Sequence, residues 1–124
     1  MKISFTTLGC PNWDLDTICQ KGRAYGFDGV DFRGYLNEID ITKLSLFTTQ
    51  GSETKQRLTD AELIVSGISS SLKVCEAERK MDNIEEAKRT IELANTLGFE
   101  NVRVFGGGNL AGSSHEELAK IGLE

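Results

Sequence analysis

Two short phrases of this chain place charge at positions where strands should end. "YGFDGVDFRG", residues 25–34, carries Asp31 and Arg33. "LGFENVRVFGG", residues 97–107, repeats the pattern with Arg103 and Phe105 in their places. Each phrase reads as a helix end, a tight turn and a strand. Period-two alternation sets Val30 and Phe32, and again Val102 and Val104, on the helix-packed face. Asp31, Arg33 and Arg103 then share the opposite face. Arg103 offers a planar, permanently charged clamp for a substrate oxygen or an acidic partner. A second reading makes it the ion-pair partner of Asp31, organising the interior. Asp31, a carboxylate beside arginines, suits an orienting role better than that of a general base, which needs burial or another carboxylate. Arg33 follows in phase and carries the same two readings.

Other residues invite chemistry less directly. Trp13 lies after the first strand, where its ring could wall a sugar site or staple the first helix to its loop. The loop "GGGN", with Gly107 and Asn109, precedes a helix, and free N–H groups there can meet an anion. Its spacing matches neither a dinucleotide fingerprint nor a P-loop, so the glycines also read as a simple turn. Cys10 shows no activating neighbour beyond a nearby helix start. The single histidine, His115, stands among capping residues and reads as surface. Glu76 and Glu78 lie on the substrate side but read as solvent-facing.

Composition bounds the class. The 124 residues are 39% hydrophobic and 27% charged, with 13 glycines, as expected of one globular domain spanning 1–124. Three cysteines, Cys10, Cys19 and Cys75, form neither a disulfide framework nor a zinc pattern; reduced thiols in a cytoplasmic protein are expected. A formal net charge of −5, without a Lys/Arg cluster, argues against nucleic-acid binding. The N-terminus has no secretory pattern, and no apolar run reaches membrane-spanning length, so no membrane partner is expected.

Four strands are predicted to position these residues: 2–7, 29–33, 63–69 and 101–105. Between them, a helix capped by Asn12 or Asp14 runs through Leu15, Ile18, Gly22 and Tyr25 to Gly26. A polar helix spans about 52–62. A third helix, capped by Asp82 or Asn83, has an inner face of Ile84, Ala87, Ile91 and Ala94 and stops at Gly98. Glu85 and Glu86 are placed in its first turn. Ser113 with Glu116, or Ser114 with Glu117, forms a capping box for a fourth helix. Strict alternation implies parallel strands with right-handed crossovers.

Charges opposite the helix-packed face would be costly in a doubly wound sheet, where helices cover both sides. In a (β/α)8 barrel that face is the interior, opening into the active-site mouth. Four units are half such a barrel, since eight take about 250 residues. The phrases "LGCPNWDLDTICQKGRAYGFDGVDFRG" and "NIEEAKRTIELANTLGFENVRVFGGG" resemble the sugar phosphate isomerase/epimerase superfamily, the xylose isomerase-like TIM barrels. The resemblance covers the N-terminal half of such a protein, a (β/α)4 half-barrel ending before strand five.

The resemblance implies proton or hydride shifts between adjacent carbons of a sugar or sugar phosphate, aided by a divalent metal (Mn, Mg or Zn) in the full-length protein. The family's metal ligands lie on strands five to eight, so no metal residue is assigned here and no cofactor is expected for this chain alone. Trp13, Asp31, Arg33, Arg103, Gly107 and Asn109 are the expected substrate-binding residues, and the isolated chain is expected to be inactive. Its partner is the missing C-terminal half, or another copy joined through open sheet edges. An abasic-site endonuclease of the same superfamily is disfavoured by the acidic charge. A complete flavodoxin-like or receiver module is the alternative of a different class, although "TTLGC" and "SGISSS" lack the acidic residues of a receiver.

Overall fold

The repeated phrase is realised twice in the backbone. In the computed structural model, which describes residues 1–109 and 112–123, helix α1 (Leu15–Ala24) and helix α3 (Lys80–Leu97) both stop at a left-handed glycine. Gly26 has φ of 76° and Gly98 has φ of 78°, a conformation that costs glycine little because it lacks Cβ. The next residue then bonds back into the helix: Phe27 N–H to the Gly22 carbonyl at 3.0 Å, and Phe99 N–H to the Ala94 carbonyl at 3.3 Å. Each turn aims the chain into a strand, β2 (Gly29–Phe32) and β4 (Val102–Phe105).

β1 (Ser4–Thr6) and β3 (Ile64–Lys73) complete a parallel sheet of order β1-β2-β3-β4. A doubly wound sheet would reverse its strand order at a switch point; this sheet proceeds in sequence order, as barrels do. Register pairs Phe5 with Val30, and Phe32 with Ile68. These residues meet α1, α2 (Gly51–Asp60) and α3 in one core with Ile18, Leu58, Leu93 and Leu97. Val30 and Phe32 are fully buried, each stabilising by roughly 1.5–3 kcal/mol. The alternation expected of β2 holds: Asp31 and Arg33 face the other side and stay half-buried.

Several expectations are corrected. α3 starts at Lys80, after a short 3-10 turn at Ala77–Arg79, so Asp82 and Asn83 lie inside it and cap nothing. Its buried face is Glu86, Thr90, Leu93 and Leu97, while Ile84 and Ile91 are exposed. Glu86 can be buried because the Ser71 N–H and hydroxyl donate to it at 2.7 and 2.5 Å. Tyr25 is exposed, and β3 runs on to Lys73 instead of stopping at 69.

Asp14 caps α1, accepting from Thr17 N–H at 2.8 Å; the Thr17 bonds hold its carboxyl below the usual range. Ser114 and Glu117 form the capping box of α4 (His115–Leu123), and the Ser114 N–H holds Glu117 low. Gly108 and Gly122 mark where α4 approaches: Leu118 lies against Gly108, and Val74 and Cys75 lie against Gly122. The helix therefore rests on the strand ends, leaving Val102 and Val104 38% and 45% exposed. No described helix is long and apolar enough to cross a membrane.

Candidate functional site

The strands' C-terminal ends gather the polar residues. A cleft of about 580 Å³ opens there, lined by Arg33 just after β2, Ser69–Ser71 and Lys73 from β3, and Phe105 from β4. Glu38, Asp40 and Lys43 of the β2–α2 loop line it as well, as does Arg79.

Backbone locks fix the cleft's floor. Thr7, fully buried after β1, accepts the Arg33 N–H at 2.8 Å and donates its hydroxyl to the Arg33 carbonyl at 2.9 Å. Three consecutive serines of β3 each reach a different element. Ser69 donates to Asp31 on β2 at 3.1 Å, Ser70 to the Arg103 carbonyl on β4 at 2.7 Å, and Ser71 to Glu86 on α3. This stretch carries the β3–β4 register shift, a local irregularity of the kind that re-aims side chains beside active sites.

The guanidiniums of Arg33 and Arg103 both lie over the ring of Phe105, at 4.8 and 4.7 Å from its centroid. The expected Asp31–Arg103 ion pair is not formed among the described residues; Asp31 is held by Ser69. Asp40 anchors the loop side. It is buried, and burial opposes its charge. Donors from Thr42, Arg89 (2.7 Å) and Lys43 (3.4 Å) outweigh that and hold its carboxyl below the usual range.

The remaining sequence-predicted residues lie elsewhere. Trp13 packs on Phe5, ring centroids 6.4 Å apart, beneath the Lys21 ammonium. It lines a separate apolar cleft of about 280 Å³ with Phe5, Tyr25 and Phe27. Phe5 is on the helix side of the sheet, so Trp13 does not join the arginines. Gly107, with φ of 68°, backs onto Lys73 and Glu76: a Cβ there would come within 2.9 Å of the Lys73 Cβ. The Asn109 carbonyl accepts the N–H groups of Gly112 and Ser113 in the turn before α4; positions 110 and 111 of that loop lie outside the described residues. Glu76 binds Lys73 at 3.1 Å and Arg79 at 3.9 Å. Burial pushes the Cys10 and Cys19 thiols up, away from thiolate chemistry.

Sequence reasoning passed over Thr7, Lys43, Ser69–Ser71 and Phe105 as site residues. The one local signal was the hydroxyl run at the end of a strand whose neighbour ends in Asp and Arg. Among the described residues, no three His, Cys, Asp or Glu side chains form a group able to hold a metal.

No protein-family model matches the chain, and no curated protein matches its sequence. Among solved structures it is similar to the crystal structure of the probable 3-DHS dehydratase AsbF from Bacillus anthracis, involved in petrobactin synthesis. The TM-score is 0.75 at 22% identity, over 98% of this chain and 44% of that one. The fold is the N-terminal half of a TIM barrel. This half-barrel spans less than half the length of AsbF. In these terms the cleft is the mouth of the half-barrel, the face where TIM barrels bind substrate.

Proposed function

We propose that residues 1–124 form one half-barrel domain, the N-terminal half of a sugar or sugar-phosphate isomerase or epimerase. The observation that carries this reading is the gathering of Arg33, Ser69–Ser71 and Phe105 in the cleft at the strands' C-terminal ends, with Asp31 joined to it through Ser69 and Arg103 through Phe105. The arginines and hydroxyls bind and orient substrate oxygens. Asp31, steadied by Ser69, accepts from a substrate hydroxyl. The described residues of this half bring together no donor set for the divalent metal (Mn, Mg or Zn) of such enzymes. On this reading the isolated half binds weakly and does not turn over. The free thiols Cys10, Cys19 and Cys75 support a reducing, cytoplasmic setting.

A second reading is loss of water from the substrate, the activity named for AsbF. Calorimetric titration of the chain with matched neutral sugars and sugar phosphates tests the binding both readings share. Saturable binding that Asp31→Ala weakens supports it. Failure of every sugar to bind a folded chain overturns it. A complete barrel carrying this half would separate the two reactions, since only dehydration gives a product lighter by one water.

A further inference from the structure

Cations and anions in the cleft are unevenly matched. Lys43 lies 3.4 Å from Asp40, and Lys73 and Arg79 lie 3.1 and 3.9 Å from the one carboxylate of Glu76. Arg89, behind the loop, is also held by Asp40. Arg33 and Arg103 differ. Neither has a carboxylate partner among the described residues, yet both are drawn onto the one ring of Phe105. The nearby acid of their own face, Asp31, is engaged by Ser69.

A ring with two guanidiniums on it gains attraction from each but leaves them to repel one another. Neither guanidinium makes a hydrogen bond to a described residue, and a planar fork is the geometry that best receives an oxyanion. Thr7 fixes the backbone that carries Arg33, and Ser70 fixes the carbonyl of Arg103. The two heads are thus presented from anchored backbones.

We infer that Arg33 and Arg103 form an oxyanion clamp for the substrate's phosphate or carboxylate group, with Phe105 as the residue that positions both guanidiniums. This rests on the reading of the cleft as a substrate mouth and adds the charge class of what enters it. Lys43 and Lys73, each already against a carboxylate, are not part of the clamp.

The test is titration of the 124-residue chain with inorganic phosphate, and separately with acetate, following the Arg side-chain Nε–H resonances by NMR. Saturable shifts at Arg33 and Arg103 are expected. Whichever anion binds tighter identifies the group that the clamp takes. Arg33→Gln and Arg103→Gln should each weaken binding at least tenfold, as removal of one charged hydrogen-bond partner does. Phe105→Leu should weaken it roughly fivefold through loss of the two ring contacts. Phe105→Met, which fills similar space without a π face, should weaken it as Leu does, which a purely structural role for the bulk at 105 would not require. Lys55→Met, beside Gly98 at the opposite end of the strands, should leave it unchanged within about twofold.

Equal weakening by Lys55→Met, or linear shifts indifferent to every variant, would overturn the clamp in favour of a diffuse positive surface. Neutral sugars binding where both anions fail would sink the clamp and leave the sugar reading standing. Anions binding where every sugar and sugar phosphate fails would do the reverse.

Discussion

The carboxylate of Glu86 on α3 accepts both the backbone N–H and the hydroxyl of Ser71 on β3, at 2.7 and 2.5 Å. One buried acid thereby ties a helix to the strand that forms the floor of the cleft. Glu86→Ala removes the acceptor and leaves a buried N–H without its partner, a change that costs about 3 kcal/mol where the lost bonds are charge-assisted. Glu86→Gln keeps one acceptor and should cost about 1 kcal/mol. Urea unfolding of both variants checks the order. Equal losses would mean that packing, not the acceptor, sets the stability of this contact.

Asp40 and Arg89 make the matching lock on the loop side, 2.7 Å apart, with Asp40 buried and Arg89 partly exposed. Arg89→Met should cost about 2 kcal/mol, less than a fully buried pair because solvent reaches the guanidinium. The pH dependence follows from the lowered carboxyl of Asp40. Its contribution is present above the ordinary carboxylate range and is lost as pH falls through the lower folded value. Wild type should therefore lose stability on acidification more steeply than Arg89→Met. Parallel acid profiles would sink this assignment.

How much of this was legible in the residues differs by element. β2 was legible because its two faces differ in kind, Val30 and Phe32 against Asp31 and Arg33. The same alternation pointed to Arg33 and Arg103 as neighbours on one face. α3 was misread because it carries two stripes of helical spacing. The apolar one, Ile84, Ala87, Ile91 and Ala94, is the more obvious. The buried one includes Glu86 and Thr90, whose burial depends on Ser71 across the sheet and on the Thr90 hydroxyl donating to the Glu86 carbonyl at 2.8 Å. No local pattern shows such partners. The part played by Phe105 and by the serines of β3 is likewise tertiary, since each reaches an element distant in sequence.

Tyr35 is fully buried against Phe32 and Phe47, and its hydroxyl has no hydrogen-bond partner among the described residues. Tyr35→Phe removes a desolvated, unsatisfied group and should leave stability unchanged or raise it by up to about 1 kcal/mol at neutral pH. The phenol is pushed up to about 12, chiefly by burial. The unfolded chain ionises near its ordinary value while the folded chain keeps the proton. Stability is thus retained below that value and lost as pH rises from about 10 towards 12, by roughly 2–3 kcal/mol. Alkaline unfolding of Tyr35→Phe should lack this component. An unchanged alkaline midpoint would place the phenol in contact with water.

Among the described residues β1 pairs only with β2, and β4 only with β3. Each edge is flanked by exposed apolar side chains: Ile3 and Leu8 by β1, Val102 and Val104 by β4. Unpaired N–H and C=O groups beside apolar surface recruit another strand. The sheet's parallel sense and sequential order allow β4 of one copy to meet β1 of the next. Two copies arranged this way about a two-fold axis along the barrel would make eight strands. The purified 124-residue chain should therefore show a concentration-dependent mass above the monomer in light scattering. Val104→Lys, placing charge on the face that would be covered, should shift it towards monomer without loss of helical circular dichroism. A monomer at all concentrations, with the amides of β1 and β4 slow to exchange, would mean that the edges are already protected and that the half-barrel does not recruit a copy of itself.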